Sequence, residues 1–371
     1  AAKIKSINDQ STDEWLEKTE RLIRNSNNIK ILKNTLVTTY NFSDHLIAIE
    51  DKNVGKPQDD DKPELVLHKI RTKQTILANG HIERFITFRN NDLPGVMLAA
   101  SFEKYLNRYG VVPDESPVIF TNNSSTFSLL KSITDLGYKP RAYVDIRDQK
   151  NIEKETVDLL ERFNIPFYPK SEVEGCEGKK EVKRVCIRTK KNQISKIKTS
   201  MLCVSGGFNP DIHLFTQSKG LLKWDDTLLT FKPDRIFQKT ITLGSVSGNF
   251  SYEKLLVEVE KKLSEFEDLN ELEVKFELNG PEKFKIKELW ETKHEKKSLW
   301  SKSFIDLQND VTTKDLRQAV NEGFNRIEHL KRFTTNSMGT DQGKISSINA
   351  LGIVSKILKK DISEVGTTTY R

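Results

Sequence analysis

The chain has 371 residues, 36% hydrophobic and 30% charged, enough for two or three domains with real cores and too apolar for a disordered chain. Its net charge is +7 and its pI about 9.0, but basic residues alternate with acidic ones, as from Glu258 to Asp268, so the charge reads as solvated surface and not as a nucleic-acid footprint. No apolar run reaches the ~20 residues of a membrane span, no secretory segment opens the sequence, and three cysteines without a CxxC pair fit a reduced, cytoplasmic setting and exclude a thioredoxin-reductase-type disulfide.

Taken in order, Ser11-Thr-Asp-Glu14 predicts a capped helix carrying Trp15, Leu16, Leu22 and Ile23 on one face. A β-branched run from Ile29 to Tyr40 predicts a strand, and 46–50 with 64–70 a hairpin around a polar loop. Thr75 to Leu77 returns as a strand that stops at Ala78-Asn79-Gly80, and a strand ending in glycine lets another group approach the backbone. Ligands of α/β sheets sit at such strand ends, so Ala78 and Gly80 are candidate pocket residues. In a nucleotide-binding domain, a helix, strand, hairpin and strand of this kind come after a strand–GxGxxG–helix opening, and no GxGxxG occurs in these residues. The expectation is that the fingerprint lies upstream.

From Val96 to Tyr109 the pattern is helical, with Gly110 as its stop. Strand 116–121, helix 122–133 and strand 141–146 then start a second βαβ layer, with Asp145 where a ribose-binding acid belongs. Its turn, Thr121-Asn-Asn-Ser-Ser125, has no glycine, so a structural layer is favoured over a second nucleotide site. Residues 182–189 and 193–198 read as a hairpin, and strand 200–204 runs into Ser205-Gly-Gly-Phe-Asn-Pro210. Gly244 and Gly248 open a helix over 252–263, whose start offers amides and a favourable dipole to phosphate. A charged stretch from 269 to 297 reads as linking. Thr312 with Asp315 caps a helix, 327–333 and 348–358 give two more, and the polar loop Thr334 to Lys344 has no apolar reason to exist. His81, His213 and His329 are scattered, and no local His, Cys or carboxylate set makes a catalytic or metal site.

Several motifs together carry a resemblance. Ala78-Asn-Gly-His-Ile-Glu-Arg84, Arg89-Asn-Asn-Asp-Leu-Pro-Gly-Val-Met97, Val204-Ser-Gly-Gly-Phe-Asn-Pro210, Phe304-Ile-Asp-Leu-Gln-Asn-Asp-Val-Thr312 and Glu328 to Lys344 resemble the alpha subunit of heterotetrameric sarcosine oxidase. Subunits of N-methylglutamate dehydrogenase and opine oxidases are similar in plan. The resemblance implies an α/β fold of the two-dinucleotide-binding-domain flavoprotein type, with Rossmann-type layers, followed by a small helical domain. The expected parts are 1–110 with 200–264 as a partial NAD-binding domain, 111–199 as the second Rossmann-like domain, 265–302 as a charged linking region and 303–371 as the helical domain. It also implies that a folate-binding, aminomethyltransferase-like domain lies beyond this chain. In the family the alpha subunit holds NAD, the beta subunit holds FAD, and FMN lies covalently attached at their interface. With gamma and delta subunits the complex demethylates sarcosine oxidatively and forms methylene-tetrahydrofolate.

Carried over by motif, Val37, Ser245, Phe250 and Tyr252, around Gly248, match NAD-contacting positions. Thr335, Thr340, Gln342 and Lys344 are expected at the FMN, with Lys344 against its phosphate. The small domain is also similar to ferredoxin-like modules that hold a [2Fe–2S] cluster by four cysteines. The matching places here are Asp306, Gln308, Asp341 and Ser346, so no cluster is expected. A reading from another class is a non-catalytic assembly subunit with a vestigial nucleotide site.

Overall fold

A computed structural model describes residues 3–55, 64–112, 116–263, 276–279, 284–294 and 296–366. At its centre is a five-stranded parallel sheet in the order Phe167–Pro169, Ala142–Asp145, Val118–Thr121, Leu202–Ser205, Val96–Leu98. The three middle strands are buried at every residue, which is why they read as unbroken apolar runs rather than alternating ones. Helices Ala99–Tyr109, Thr126–Asp135 and Lys154–Arg162 supply Phe102, Leu130 and Leu160 to the core on one face. The other face is covered by an antiparallel sheet of Glu172–Glu177, Arg184–Arg188 and Ile194–Lys198, whose Val173, Val185 and Ile187 are fully buried. The expected hairpin is thus two strands of a three-stranded cover, and the helix expected from Val96 begins after a three-residue strand.

This sheet draws on both sides of the boundaries expected at 110 and 200. Strands Val96–Leu98 and Leu202–Ser205 hydrogen-bond into it, so the second Rossmann-type layer runs wider in sequence than 111–199. The outer body is built from smaller pairings. Thr35–Asn41, His45–Asp51 and Leu65–Arg71 form an antiparallel sheet. Thr75–Leu77 pairs in parallel with Thr240–Thr242, and His81–Glu83 pairs antiparallel with Phe208–Pro210. The chain therefore passes between outer body and central sheet at 84–95 and again at 206–207.

The segment expected as a charged linking region is, over 284–294, a packed strap. It bridges Asn123 through Ile286 and Thr87 through Glu291, and it buries Trp290 to 1% exposure. Residues 264–275 and 280–283 of that region lie outside the described residues. Trp290 belongs to the core of the helical domain, where Thr313–Asn321, Ile327–Thr334 and Ser347–Leu358 pack Leu316, Leu330 and Leu351 around it. The predicted capping box of Thr312 and Asp315 is present. Helix Ser347–Leu358 is apolar nearly all round because it is buried on all sides, from Ser347 to Ser355.

Gly352 lies in the middle of that helix, where alanine ordinarily gains roughly 0.5–1 kcal/mol. A Cβ on Gly352 would stand 2.2 Å from Cδ2 of the Trp290 ring. Overpacking of that kind costs about 1–3 kcal/mol and outweighs the propensity gain. Gly352→Ala is expected to lower the urea midpoint and shift the tryptophan emission to longer wavelength; an unchanged or raised midpoint would show that the ring yields freely.

Candidate functional site

The strand Thr75–Leu77 ends in an exposed turn at Ala78 and Asn79, with Gly80 next at φ +87°. That left-handed backbone suits glycine. The paired strand Thr240–Thr242 ends beside it, and a Cβ on Gly80 would lie 4.0 Å from Oγ of Ser245. Gly248, at φ +85°, turns the chain back from the single 3-10 turn Gly244–Ser247. Phe250 then presents its ring to His81, Phe208 and Phe284 at centroid distances of 5.5, 5.4 and 5.3 Å. Ala78, Gly80, Ser245, Gly248 and Phe250 thus come together as two facing turns with an aromatic floor. Val37 packs against the cluster of Tyr40, Leu46, Leu77 and Phe215, whose Leu77 ends the strand that leads into the turn. Tyr252 opens the helix Tyr252–Leu263, and its side chain lies outside the described residues.

One expectation about this turn needs correction. Its amides are not all free for phosphate: Gly244 N donates to Glu258 Oε2, Gly248 N to the Ser245 carbonyl and Asn249 N to the Gly244 carbonyl. Glu258, within the helix, reaches back as a cap and also accepts from Asn249 Nδ2.

The turn at 78–80 is tied to the helical domain through one residue that sequence reasoning did not single out. The Asn79 side-chain amide donates to the Asp211 carbonyl, and Asp211 N donates to the Gly80 carbonyl at 3.0 Å. The Asp211 carboxylate meets His213 Nδ1 at 3.0 Å and Lys344 Nζ at 3.2 Å. Burial works against its charge, yet His213 and Lys344 hold its pKa below the ordinary carboxylate value. His213 in turn is pushed below the usual histidine value by burial, partly opposed by Asp211. The only sequence signal for this link is an acid directly after Gly-Gly-Phe-Asn-Pro210.

Lys344 sits in the loop after helix Ile327–Thr334, and the structure gathers all four expected flavin residues there. Thr335 and Gln342 adopt left-handed backbone at φ 62° and 51°. Thr340 Oγ1 donates to Gln308 Oε1 at 2.8 Å, Gln342 Nε2 to the Gly339 carbonyl at 3.0 Å, and the Thr335 carbonyl accepts from Asn309 Nδ2. Of the four, Lys344 alone carries a charge, and its side chain is 34% exposed. At the positions that match cluster ligands, the side chains are engaged in hydrogen bonds. Asp306 accepts from the amides of Gln308 and Ser337, Asp341 from those of Gly343 and Ile345, and Ser346 shares a hydrogen with Ser337. They edge a cavity of about 160 Å³ whose other walls are mostly apolar, from Phe88 and Val204 to Ile305.

The second layer's strand-end turn is filled by its own side chains. Asn123 Nδ2 donates to Ser205 Oγ at 3.1 Å, Ser124 Oγ to Glu153 at 2.7 Å, and Asn122 Nδ2 to the Lys287 carbonyl of the strap. Asp145, fully buried, is held by Arg147 at 2.8 Å, and Arg147 also meets Glu153. A pyrophosphate has no entry at this turn, and the acid is not available to a ribose there. At the end of the outer-body strand His81–Glu83, Glu83 Oε2 accepts from Ala100 N, 2.7 Å away, at the start of helix Ala99–Tyr109. Burial pushes the Glu83 pKa up to about 7, against the pull of bonds from Ser205 and Ala100.

Comparison with known proteins agrees with this architecture. Residues 300–371 match the sarcosine oxidase A3 domain. The chain is 30% identical over 375 residues to sarcosine oxidase subunit alpha of Rhizobium meliloti (strain 1021), covering 99% of this chain and 36% of that one. Against the subunit of the same name from Corynebacterium sp. (strain P-1) it is 27% identical over 382 residues, covering 98% and 39%. The chain thus spans little more than a third of the length of these curated relatives. Among solved structures, L-proline dehydrogenase from P. horikoshii is similar with a TM-score of 0.63 at 21% identity, over 98% of this chain and 67% of that one, which shows a shared α/β fold with Rossmann-type layers. The resemblance read from the motifs holds along nearly the whole chain.

Glu83 makes a testable contribution. Between its ordinary value of 4.5 and about 7, the folded chain keeps a proton that the unfolded chain has released. Stability therefore falls as pH rises through that window, by on the order of 3 kcal/mol from this group. Glu83→Gln removes the titration. Urea midpoints of the variant relative to the parent are expected to rise between pH 5 and pH 8. Parallel pH profiles would show that Glu83 titrates normally.

Proposed function

We propose that this chain, a relative of sarcosine oxidase alpha subunits along nearly its whole length, is part of a flavin-dependent oxidoreductase acting on the CH–NH group of sarcosine. In this reading it contributes the NAD site and part of the FMN interface. FAD is held by a beta subunit, gamma and delta subunits complete a cytoplasmic heterotetramer, and tetrahydrofolate binds a further domain of the same subunit. The observation that carries the proposal is the Asp211 link. It fastens the Ala78–Gly80 turn to the loop of Lys344, so the residues matched to NAD and those matched to FMN belong to one hydrogen-bonded unit.

The residues present fit both groups in different ways. For NAD the fit rests on the facing turns, where Gly80 in left-handed backbone keeps a side chain out of the space beside Ser245 and Gly248 in left-handed backbone turns the chain back against Leu228 and Lys232, and on the aromatic floor of His81, Phe208 and Phe250. For FMN it rests on Lys344, whose partly exposed ammonium is steered by Asp211 and offers a positive charge to a phosphate. When bound, the flavins would supply the electron acceptors for amine oxidation. This chain's residues bind and orient, and among its described residues no group of three or more His, Cys, Asp and Glu is placed to hold a metal ion.

The self-filled turn at Thr121–Ser125 favours a second reading for the middle layer, that of an assembly domain with a vestigial nucleotide site. Subunits of N-methylglutamate dehydrogenase or an opine oxidase share the plan and are separated by substrate. The test is to produce the full-length chain with its partners, count NAD and flavin released on denaturation, and compare sarcosine with N-methylglutamate as substrates. Bound NAD and faster demethylation of sarcosine are expected. Absence of NAD, or absorbance of an iron–sulfur cluster, would overturn the assignment. In the same complex Gly248→Val is expected to reduce retained NAD by roughly tenfold or more, since a β-branched residue at positive φ costs at least 1–2 kcal/mol. Lys344→Met is expected to leave NAD in place but to shift the flavin absorbance and slow turnover; an unchanged spectrum and rate would place the flavin phosphate elsewhere.

A further inference from the structure

A groove that the reading above does not use lies at the carboxyl ends of strands Ala142–Asp145 and Phe167–Pro169. In α/β sheets that edge is where ligands are taken. The groove has a volume of about 590 Å³, within the range of roughly 300–1,000 Å³ typical of small-molecule sites. Its walls come from the end of strand Arg184–Arg188 with the turn after it, and from the strap that carries Trp290.

Its charge is one-sided. Lys170, Arg188, Lys190, Lys287 and Lys293 line it, against the carboxylates of Glu172 and Glu288. Both acids and two of the lysines are engaged. Lys170 pairs with Asp148, and Lys287 Nζ donates to the Ile146 carbonyl at 3.1 Å. Glu172 accepts from Lys293 N, and Glu288 accepts from Trp290 Nε1 and pairs with Lys356. Lys190 and Lys293 are exposed and make no ion pair among the described residues. Arg188 differs from the lysines. Its side chain is only 10% exposed, Nη1 donates to Asn192 Oδ1 at 3.2 Å, and Nε stands 3.8 Å from Glu172. A guanidinium fixed this way at a groove wall is ready to bind phosphate without further ordering. Ile146 and Leu289 add an apolar strip beside the charges.

We propose that this groove binds a nucleoside phosphate. The phosphate lies on Arg188, Lys190 and Lys293, and the base lies along Ile146 and Leu289. The space is several times larger than an inorganic anion needs, and its apolar strip has no use for one. A dinucleotide is disfavoured because the neighbouring pyrophosphate turn is closed by Asn122, Asn123 and the strap, and because Asp145 is held by Arg147. The site is separate from the facing turns at Gly80 and Gly248, so it stands or falls independently of the NAD assignment.

The test uses the full-length chain in its complex, with excess NAD present to block the first site. Binding of ADP, inorganic phosphate and a short single-stranded oligonucleotide is measured by equilibrium dialysis, on the parent and on Lys190→Glu/Lys293→Glu. Circular dichroism and the melting temperature check that the variant is folded; both positions are on the surface. Saturable ADP binding is expected, tighter than that of inorganic phosphate, weakened by salt and reduced roughly tenfold or more in the variant. The proposal is overturned if ADP fails to bind or binds the variant equally well. It is also overturned if phosphate binds as tightly as ADP, or if the oligonucleotide alone binds.

Discussion

A single buried guanidinium joins the parts of this molecule. Arg84 is 1% exposed and forms no ion pair among the described residues; burial pushes its pKa down to about 9. Its Nε donates to the Gly206 carbonyl at 2.6 Å, and Nη1 donates to Asn209 Oδ1 and the Leu229 carbonyl at 2.8 and 2.7 Å. Its plane lies over the Trp290 ring at 5.0 Å. The outer body, the 221–235 hairpin and the strap of the helical domain therefore meet on one side chain. A planar fork with several fixed donors can do this where lysine cannot. The arrangement also explains Gly206-Gly207. A Cβ on Gly206 would stand 2.4 Å from the Phe85 carbonyl, and one on Gly207 2.5 Å from Ile286 Cδ1 of the strap and 3.1 Å from Arg84 Nη2. The close approach that these glycines permit is by the chain's own backbone, by the strap and by Arg84.

Arg84 fixes the crossing between the layers, and Asp211 uses that rigidity. Four residues after the Gly-Gly turn, its backbone holds the Ala78–Gly80 turn while its carboxylate holds His213 and Lys344. The two sides are joined through hydrogen bonds of about 3 Å to one residue. The middle layer takes a different part. Its strand-end turn is satisfied by side chains and by the strap, so its fold is that of a nucleotide domain while the space for a pyrophosphate is filled.

Much of this was legible in the sequence for definite reasons. Continuous apolar runs such as 118–121 and 202–205 announced a parallel sheet, and Ser11 with Glu14 and Thr312 with Asp315 announced helix starts, because those patterns have one common physical solution. The facing turns were legible from glycines at strand ends. What was missed depends on distant partners. The strand Glu172–Glu177 shifts register between Val173 and Gly175, and residue 175 is glycine because a Cβ there would meet Arg89 at 2.8 Å, which nothing local announces. The strap looked like a linker because its Lys and Glu outnumber Trp290 and Leu289. Glu83-Arg84 within an apolar stretch was the signal for a buried charge, yet only the fold shows that Glu83 turns to a helix start and Arg84 to carbonyls. Asp211 is announced only as an acid after Pro210, and its role shows when Lys344 lies beside it.

The central claim is that NAD is held between the turns at 78–80 and 245–250 and not at the glycine-free turn of the middle layer. Hydrogen–deuterium exchange on the full-length complex, with and without added NAD, tests it directly. Slower exchange in peptides covering 78–80 and 245–250, with residues 121–125 unchanged, is the predicted result. Protection confined to 121–125 would contradict the claim and place the nucleotide at the turn of the middle layer.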